Sequence, residues 1–185
     1  MKMTKATMVK PKTARQTEIS GFLEKIVINA GVGRLSQQPN FEQKIQPQVV
    51  RDISVIAGQM PELRKAKKSI SGFKTREGQV VGVKVTLRRR KMVDFFERLI
   101  TIVLPRLRDF RGIDTAFIDD VGTLNLGFTE QMVFPEINPE ESPVTFSLGL
   151  NIVPRKKRRE EAIAEYRKLG VPFSAQGGSA SGRKK

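Results

Sequence analysis

The chain has 185 residues, with 34 Lys and Arg against 19 Asp and Glu and no His or Cys, for a formal net charge of +15. Without Cys there are no disulfides or thiolate chemistry, and without His the commonest general base and metal ligand is missing, so no catalytic residue, metal or cofactor is expected. No run of about 18 apolar residues is present to span a bilayer, and the positive excess points to nucleic acid before any membrane surface.

Residues 1–17 carry Lys2, Lys5, Lys10, Lys12 and Arg15 with no periodicity, which predicts a flexible basic arm ahead of a single domain over 18–173. No apolar segment follows the arm, so it does not read as a secretory signal. EKIVIN, at 24–29, predicts a short strand that ends in Ala-Gly-Val-Gly at 30–33. This GxG lacks the third glycine and a closely following helix, so it is no dinucleotide fingerprint. Residues 39–57 predict a helix with Pro47 near its start, Val49, Val50, Ile53 and Ile56 as its core stripe, and Gly58 as its cap.

Residues 64–91 predict a basic β-hairpin. Val81, Val83, Val85 and Leu87 alternate with Gly82, Lys84, Thr86 and Arg88, giving one apolar face and one cationic, hydroxylated face. In the first half Lys65, Lys67, Ser69 and Ser71 share a parity. Arg64, Lys65, Lys67, Lys68, Lys74, Arg76, Lys84, Arg88, Arg89, Arg90 and Lys91 face a single acid, Glu77. Like charge at that density opposes compaction, so it implies a polyanionic partner.

Residues 92–104 form the clearest helical pattern, apolar at 92, 95, 96, 99, 100 and 103 and interrupted by Pro105. Period-two alternation then returns at 123–128 and 144–152, separated by a proline-rich loop at 134–143. Asp114, Asp119, Asp120, Glu130, Glu136, Glu140 and Glu141 lie in a stretch, 112–154, that has no Lys or Arg, so the molecule is an electrical dipole. RKKRR at 155–159 opens a final helix, 160–169, capped by Gly170, and the Gly/Ser/Lys-rich 174–185 predicts a disordered tail.

These elements imply an α+β fold: an antiparallel sheet of about four strands, helices packed on one face, and an open basic face. By parity, Asn29, Lys65, Lys67, Ser69, Lys84, Thr86, Arg88, Ser147 and Asn151 share that face. Amides, hydroxyls and cations without aromatic platforms suit the shape and backbone of folded RNA better than stacked single strands. A magnesium nuclease built on Asp119, Asp120 and Glu130, a DNA regulator, and a general RNA- or DNA-binding protein are the alternatives.

KIVINAGVG (25–33), GQMPELRKAKKSISGFKTREGQVVGVKVTLR (58–88), FFERLITIVLPRLRDFRG (95–112), QMVFPEI (131–137) and GVPF (170–173) resemble, in order, the signature blocks of the ribosomal protein L five family. The resemblance implies a structural constituent of the large ribosomal subunit, in the central protuberance, with 5S rRNA on the sheet. It implies hydrogen bonds to 5S rRNA from Asn29, Gln59, Ser69 and Thr86 and phosphate contacts from Lys65, Lys67 and Lys68, to which the open-face parity adds Lys84 and Arg88. The tip at 72–79, with Phe73, Lys74, Thr75, Arg76 and Glu77, is expected at the elbow of P-site tRNA. Further implied partners are large-subunit rRNA, neighbouring large-subunit proteins, and a small-subunit head protein met across an intersubunit bridge by the acidic side. The cytoplasmic ribosome of a bacterium is the implied location, with an organellar ribosome as the alternative. Four features depart from the family pattern: a basic arm where a leading helix is usual, Arg89 where glycine is usual after VTLR, VPRKKRR in place of a Thr-rich run before the last helix, and an extra Gly/Ser- and Lys-rich tail.

Overall fold

The computed structural model describes residues 14–108, 110–155 and 158–174. Helix α1 (Ala14–Phe22) runs directly into β1 (Leu23–Gly31); α2 (Gln46–Ala57), β2 (Glu62–Lys65) and β3 (Val80–Leu87) follow, then α3 (Arg89–Arg98), β4 (Leu124–Phe128), β5 (Leu148–Pro154) and α4 (Arg159–Lys168). The sheet has five strands in the order β2-β3-β1-β5-β4, with every pair antiparallel. The expected α+β class and open sheet are therefore present, with five strands rather than about four.

Alternation divides the sheet into two faces. Ile26, Ile28 and Ala30 of β1, Val83, Val85 and Leu87 of β3, and Leu148, Leu150 and Ile152 of β5 are all buried on one side. Against them pack Ile19 and Phe22 of α1, Val49, Ile53 and Ile56 of α2, and Met92, Phe95 and Phe96 of α3, in one continuous apolar cluster. Each fully buried aliphatic or aromatic side chain contributes about 1.5–3 kcal/mol, so this layer holds the helices on one face of the sheet and leaves its other face to solvent.

Boundaries follow local chemistry. Pro47 opens α2 and Gly58 closes it at φ 63°, a left-handed value that glycine adopts without a Cβ clash. After α3 the chain widens into a π-turn, Leu99–Val103, and then a 3-10 turn, Leu104–Arg106, because Pro105 has no N–H to continue the ladder. Between β4 and β5 the chain forms the short 3-10 turn Gln131–Val133, which leads into the irregular proline-rich stretch at 134–143. It is pinned by the buried Gln131, which donates to the Val144 carbonyl at 2.8 Å and accepts from the Phe146 N–H at 3.0 Å. The Ser142 hydroxyl also donates to Asp52 at 2.9 Å.

Several expectations are corrected. Helix α1 takes in residues 14–17, which were expected in the arm, and supplies the leading helix that a basic arm was expected to replace. Residues 1–13 and the tail 175–185 lie outside the described residues. The last strand begins at Leu148, not 144, because the side chains of Gln48 and Gln131 take the backbone groups of Val144 and Phe146 that a ladder would use. Strand β2 ends at Lys65, and the pairing slips between Arg64 and Lys65, so the parity of the hairpin's first half stops there.

Candidate nucleic-acid interface

The open face is built from the residues that alternate with the core. On β3, Gly82, Lys84 and Thr86 point away from the apolar cluster; Lys84 pairs with Asn29 of β1 on one side and Glu62 of β2 on the other, while Thr86 pairs with Val27. Across β1, β5 and β4 runs a ladder of side-chain amides. Asn29 Nδ2 donates to Asn151 Oδ1 at 2.9 Å, and Asn151 Nδ2 donates to Asn125 Oδ1 at 2.6 Å. Each amide keeps donor or acceptor capacity for a ligand while its orientation is fixed by a neighbour. Strand β5 makes room for the ladder at Gly149, opposite Asn29, where any Cβ would collide with the Asn29 amide.

Cations concentrate on the β2–β3 side. Arg64 pairs with Glu62 at 3.2 Å, Arg88 with Glu24 at 3.6 Å and Arg90 with Asp94 at 3.7 Å, and Lys91 donates to the Gly58 carbonyl at 2.8 Å. Lys65, Lys67, Lys68, Lys74, Arg76, Lys84 and Arg89 have no acidic partner among the described residues. Unpaired cations on one side of a sheet raise the potential there and suit phosphate.

Of the sequence candidates, Asn29, Lys84 and Thr86 stand on the open face, with Arg88 at its end as the residue that opens α3. Gln59 is half-buried and donates to the Thr86 carbonyl at 3.5 Å, bracing that strand. Lys67, Lys68 and Ser69 lie beyond the end of β2 and so do not belong to its alternation; the Ser69 hydroxyl accepts the Glu77 N–H at 2.9 Å inside the tip. Ser147 precedes β5 and is likewise outside the ladder. Phe73, Lys74, Arg76 and Glu77 are exposed and Thr75 is half-buried, and a small bridge between Ile70 and Thr75 closes the tip. Lys74 sits at φ 51° in the left-handed region.

Asn125, Gly149 and the docking of the tip were missed as site features. Gln37 donates to the Phe73 carbonyl at 2.9 Å, and Gln79 donates to the Ser36 hydroxyl at 2.9 Å while accepting from the Arg76 N–H at 2.9 Å. Alternation in 123–128 marks Asn125, but its link to Asn151, and through it to Asn29, exists only in the strand register. The nuclease alternative gains nothing: Asp119 uses its carboxylate on the N–H groups of Val121 and Thr123, at 3.1 and 2.7 Å. No acid cluster among the described residues is placed to hold a metal ion, and no described helix is long and apolar enough to cross a membrane.

An antiparallel sheet packed by helices on one face, with amides and cations ordered on the other, defines an open-faced α+β scaffold whose chemistry suits an extended polyanion more than a small substrate. Residues 22–76 match the family described as ribosomal protein L5, and residues 80–173 match the C-terminal region of that same ribosomal family. The chain belongs to the ribosomal protein L5 family. It is 40% identical over 171 residues to the large ribosomal subunit protein uL5 of Fusobacterium nucleatum, covering 90% of this chain and 91% of that protein. With the uL5 of Geotalea daltonii the identity is 46% over 151 residues, covering 82% of each chain. The uL5 of Chlorobaculum tepidum is 43% identical over 151 residues, which is 82% of this chain and 80% of that one. The short signature blocks and the matches over most of the chain thus lead to one family.

Proposed function

We propose that this chain is a non-catalytic constituent of the large subunit of a bacterial cytoplasmic ribosome and binds 5S rRNA on its open sheet face. The observation that carries this is the amide ladder Asn29–Asn151–Asn125 set beside Lys84 and Thr86. Fixed amides and a hydroxyl reach base edges and 2′-hydroxyls, and the unpaired lysines release counterions from phosphates. The pre-set geometry lowers the ordering cost of binding and gives selectivity that charge alone lacks.

In the same reading the tip at 72–79 contacts P-site tRNA, and Lys65, Lys67 and Lys68 lie on rRNA phosphates. The exposed acids Asp114, Asp119, Asp120, Glu140 and Glu141 face a basic small-subunit protein across the intersubunit bridge. The test is a filter-binding titration of the purified chain against 5S rRNA, with tRNA and duplex DNA as competitors, at two salt concentrations. Selective binding of 5S rRNA that survives the higher salt is the expected result. Equal, salt-labile binding to all three nucleic acids would reduce the interface to charge and overturn the assignment.

A further inference from the structure

Behind the hairpin tip lies an open cavity of about 660 Å³, within the range of about 300–1,000 Å³ found for small-molecule sites. It is separate from the amide ladder: Val81 contributes to its wall, and Val81 belongs to the alternation of Val83, Val85 and Leu87, opposite to Lys84 and Thr86. Ala66, Ile70 and Phe73 complete the apolar wall. Two of these are large apolar side chains left in solvent, Phe73 at 73% and Ile70 at 50% exposure. Three cations, Arg34, Lys67 and Lys68, border the same space.

The wall is held in place before any ligand arrives. Gln37 grips the Phe73 carbonyl, Gln79 grips Ser36, and the Ile70 and Thr75 backbones exchange two hydrogen bonds, at 2.9 and 3.1 Å. An apolar slot with an aromatic side chain and a cationic rim is complementary to a flat, apolar-faced group that carries its own anion. From this we infer that the cavity takes one unstacked nucleobase of a folded RNA, with the ring against Phe73 and Ile70 and the flanking phosphates on Arg34, Lys67 and Lys68. The inference rests on the RNA-binding reading above and adds to it a stacking site on the hairpin face opposite the ladder.

The test uses the full chain and a short RNA hairpin with one bulged 2-aminopurine, compared with the same hairpin fully paired. The expected result is about tenfold tighter binding of the bulged hairpin with a change in 2-aminopurine fluorescence. Phe73→Ala, at an exposed position, and Ala66→Leu, which fills the slot, should both abolish that preference without changing the salt slope, with melting curves confirming that each variant is folded. Equal binding of the two hairpins, or a preference that persists in both variants, overturns the inference. If the bulge makes no difference while 5S rRNA still binds selectively, only the cavity assignment falls; if no RNA is preferred over duplex DNA, the RNA-binding reading falls with it. A bulge-blind chain that instead binds an acidic phenylalanine-containing peptide, and loses it in Phe73→Ala, would assign the cavity to a protein segment and overturn the nucleobase.

Discussion

Asn29 and Gly149 face each other across β1 and β5, and the Asn29 amide occupies the space that a side chain at position 149 would need: a Cβ there would approach its Cγ to 3.1 Å and its Oδ1 more closely still. Gly149→Ala should therefore push the amide aside and break its 2.9 Å bond to Asn151. Because only a flexible side-chain end must move, stability should change by no more than about 1 kcal/mol, while 5S rRNA affinity falls. Melting curves and filter binding on the same preparation check both parts, and undiminished affinity would remove the ladder from the interface.

Lys84 and Thr86 separate charge from register on a single strand. Lys84→Ala should lower the slope of log affinity against log salt by about one unit, as expected for one lost phosphate contact. Thr86→Val keeps shape and β propensity but removes the hydroxyl, and should weaken 5S rRNA binding by about 1 kcal/mol at unchanged slope. Salt titrations of both variants distinguish the two effects. The pair Lys65→Ala, at the last residue of β2, and Lys67→Ala, just beyond it, gives the same slope test at the edge of the sheet.

Arg89 stands at φ 54°, in the left-handed region, at the first residue of α3. A side chain there costs about 1 kcal/mol relative to glycine. Arg89→Gly should raise the melting temperature by about 2–4 °C. A lower melting temperature would show that the arginine side chain contributes packing that offsets its backbone strain.

Tyr166 is the chain's one tyrosine and is fully buried, its single hydroxyl proton directed at the carbonyl of Ile152 at 3.0 Å, with that of Gly122 also within reach at 3.3 Å. Burial disfavours the phenolate and pushes its pKa well above the ordinary value of 10.0. The neutral form is the one held by the fold, so its contribution is complete below the unfolded pKa and is lost as pH rises beyond it, when the unfolded chain's tyrosine ionises first. Tyrosinate absorbance should therefore appear together with loss of circular dichroism at alkaline pH, not before it. Tyr166→Phe should cost about 1–2 kcal/mol at neutral pH, since the buried hydrogen bond to the Ile152 carbonyl is lost, and the difference from the parent chain should narrow in strong alkali.

Local patterns in the chain determined the element types after α1, the apolar side of each strand, the caps at Gly58 and Gly170 and the basic hairpin, because periodicity and glycine or proline placement act over a few residues; α1 itself carries no such period and was not legible. They also placed Asn29, Lys84 and Thr86 on the polar face, since parity within one strand needs no partner. What only the tertiary structure decided is which strands lie side by side. The order β2-β3-β1-β5-β4 brings Asn29, Asn151 and Asn125 into one ladder and makes Gly149 a requirement of Asn29. Strand ends were likewise settled at long range: the side chains of Gln48 and Gln131 withdraw Val144 and Phe146 from the sheet, and the slip at Arg64 takes Lys67 and Ser69 out of it. Such choices depend on hydrogen-bond competition between residues far apart in sequence, and no local pattern carries that information.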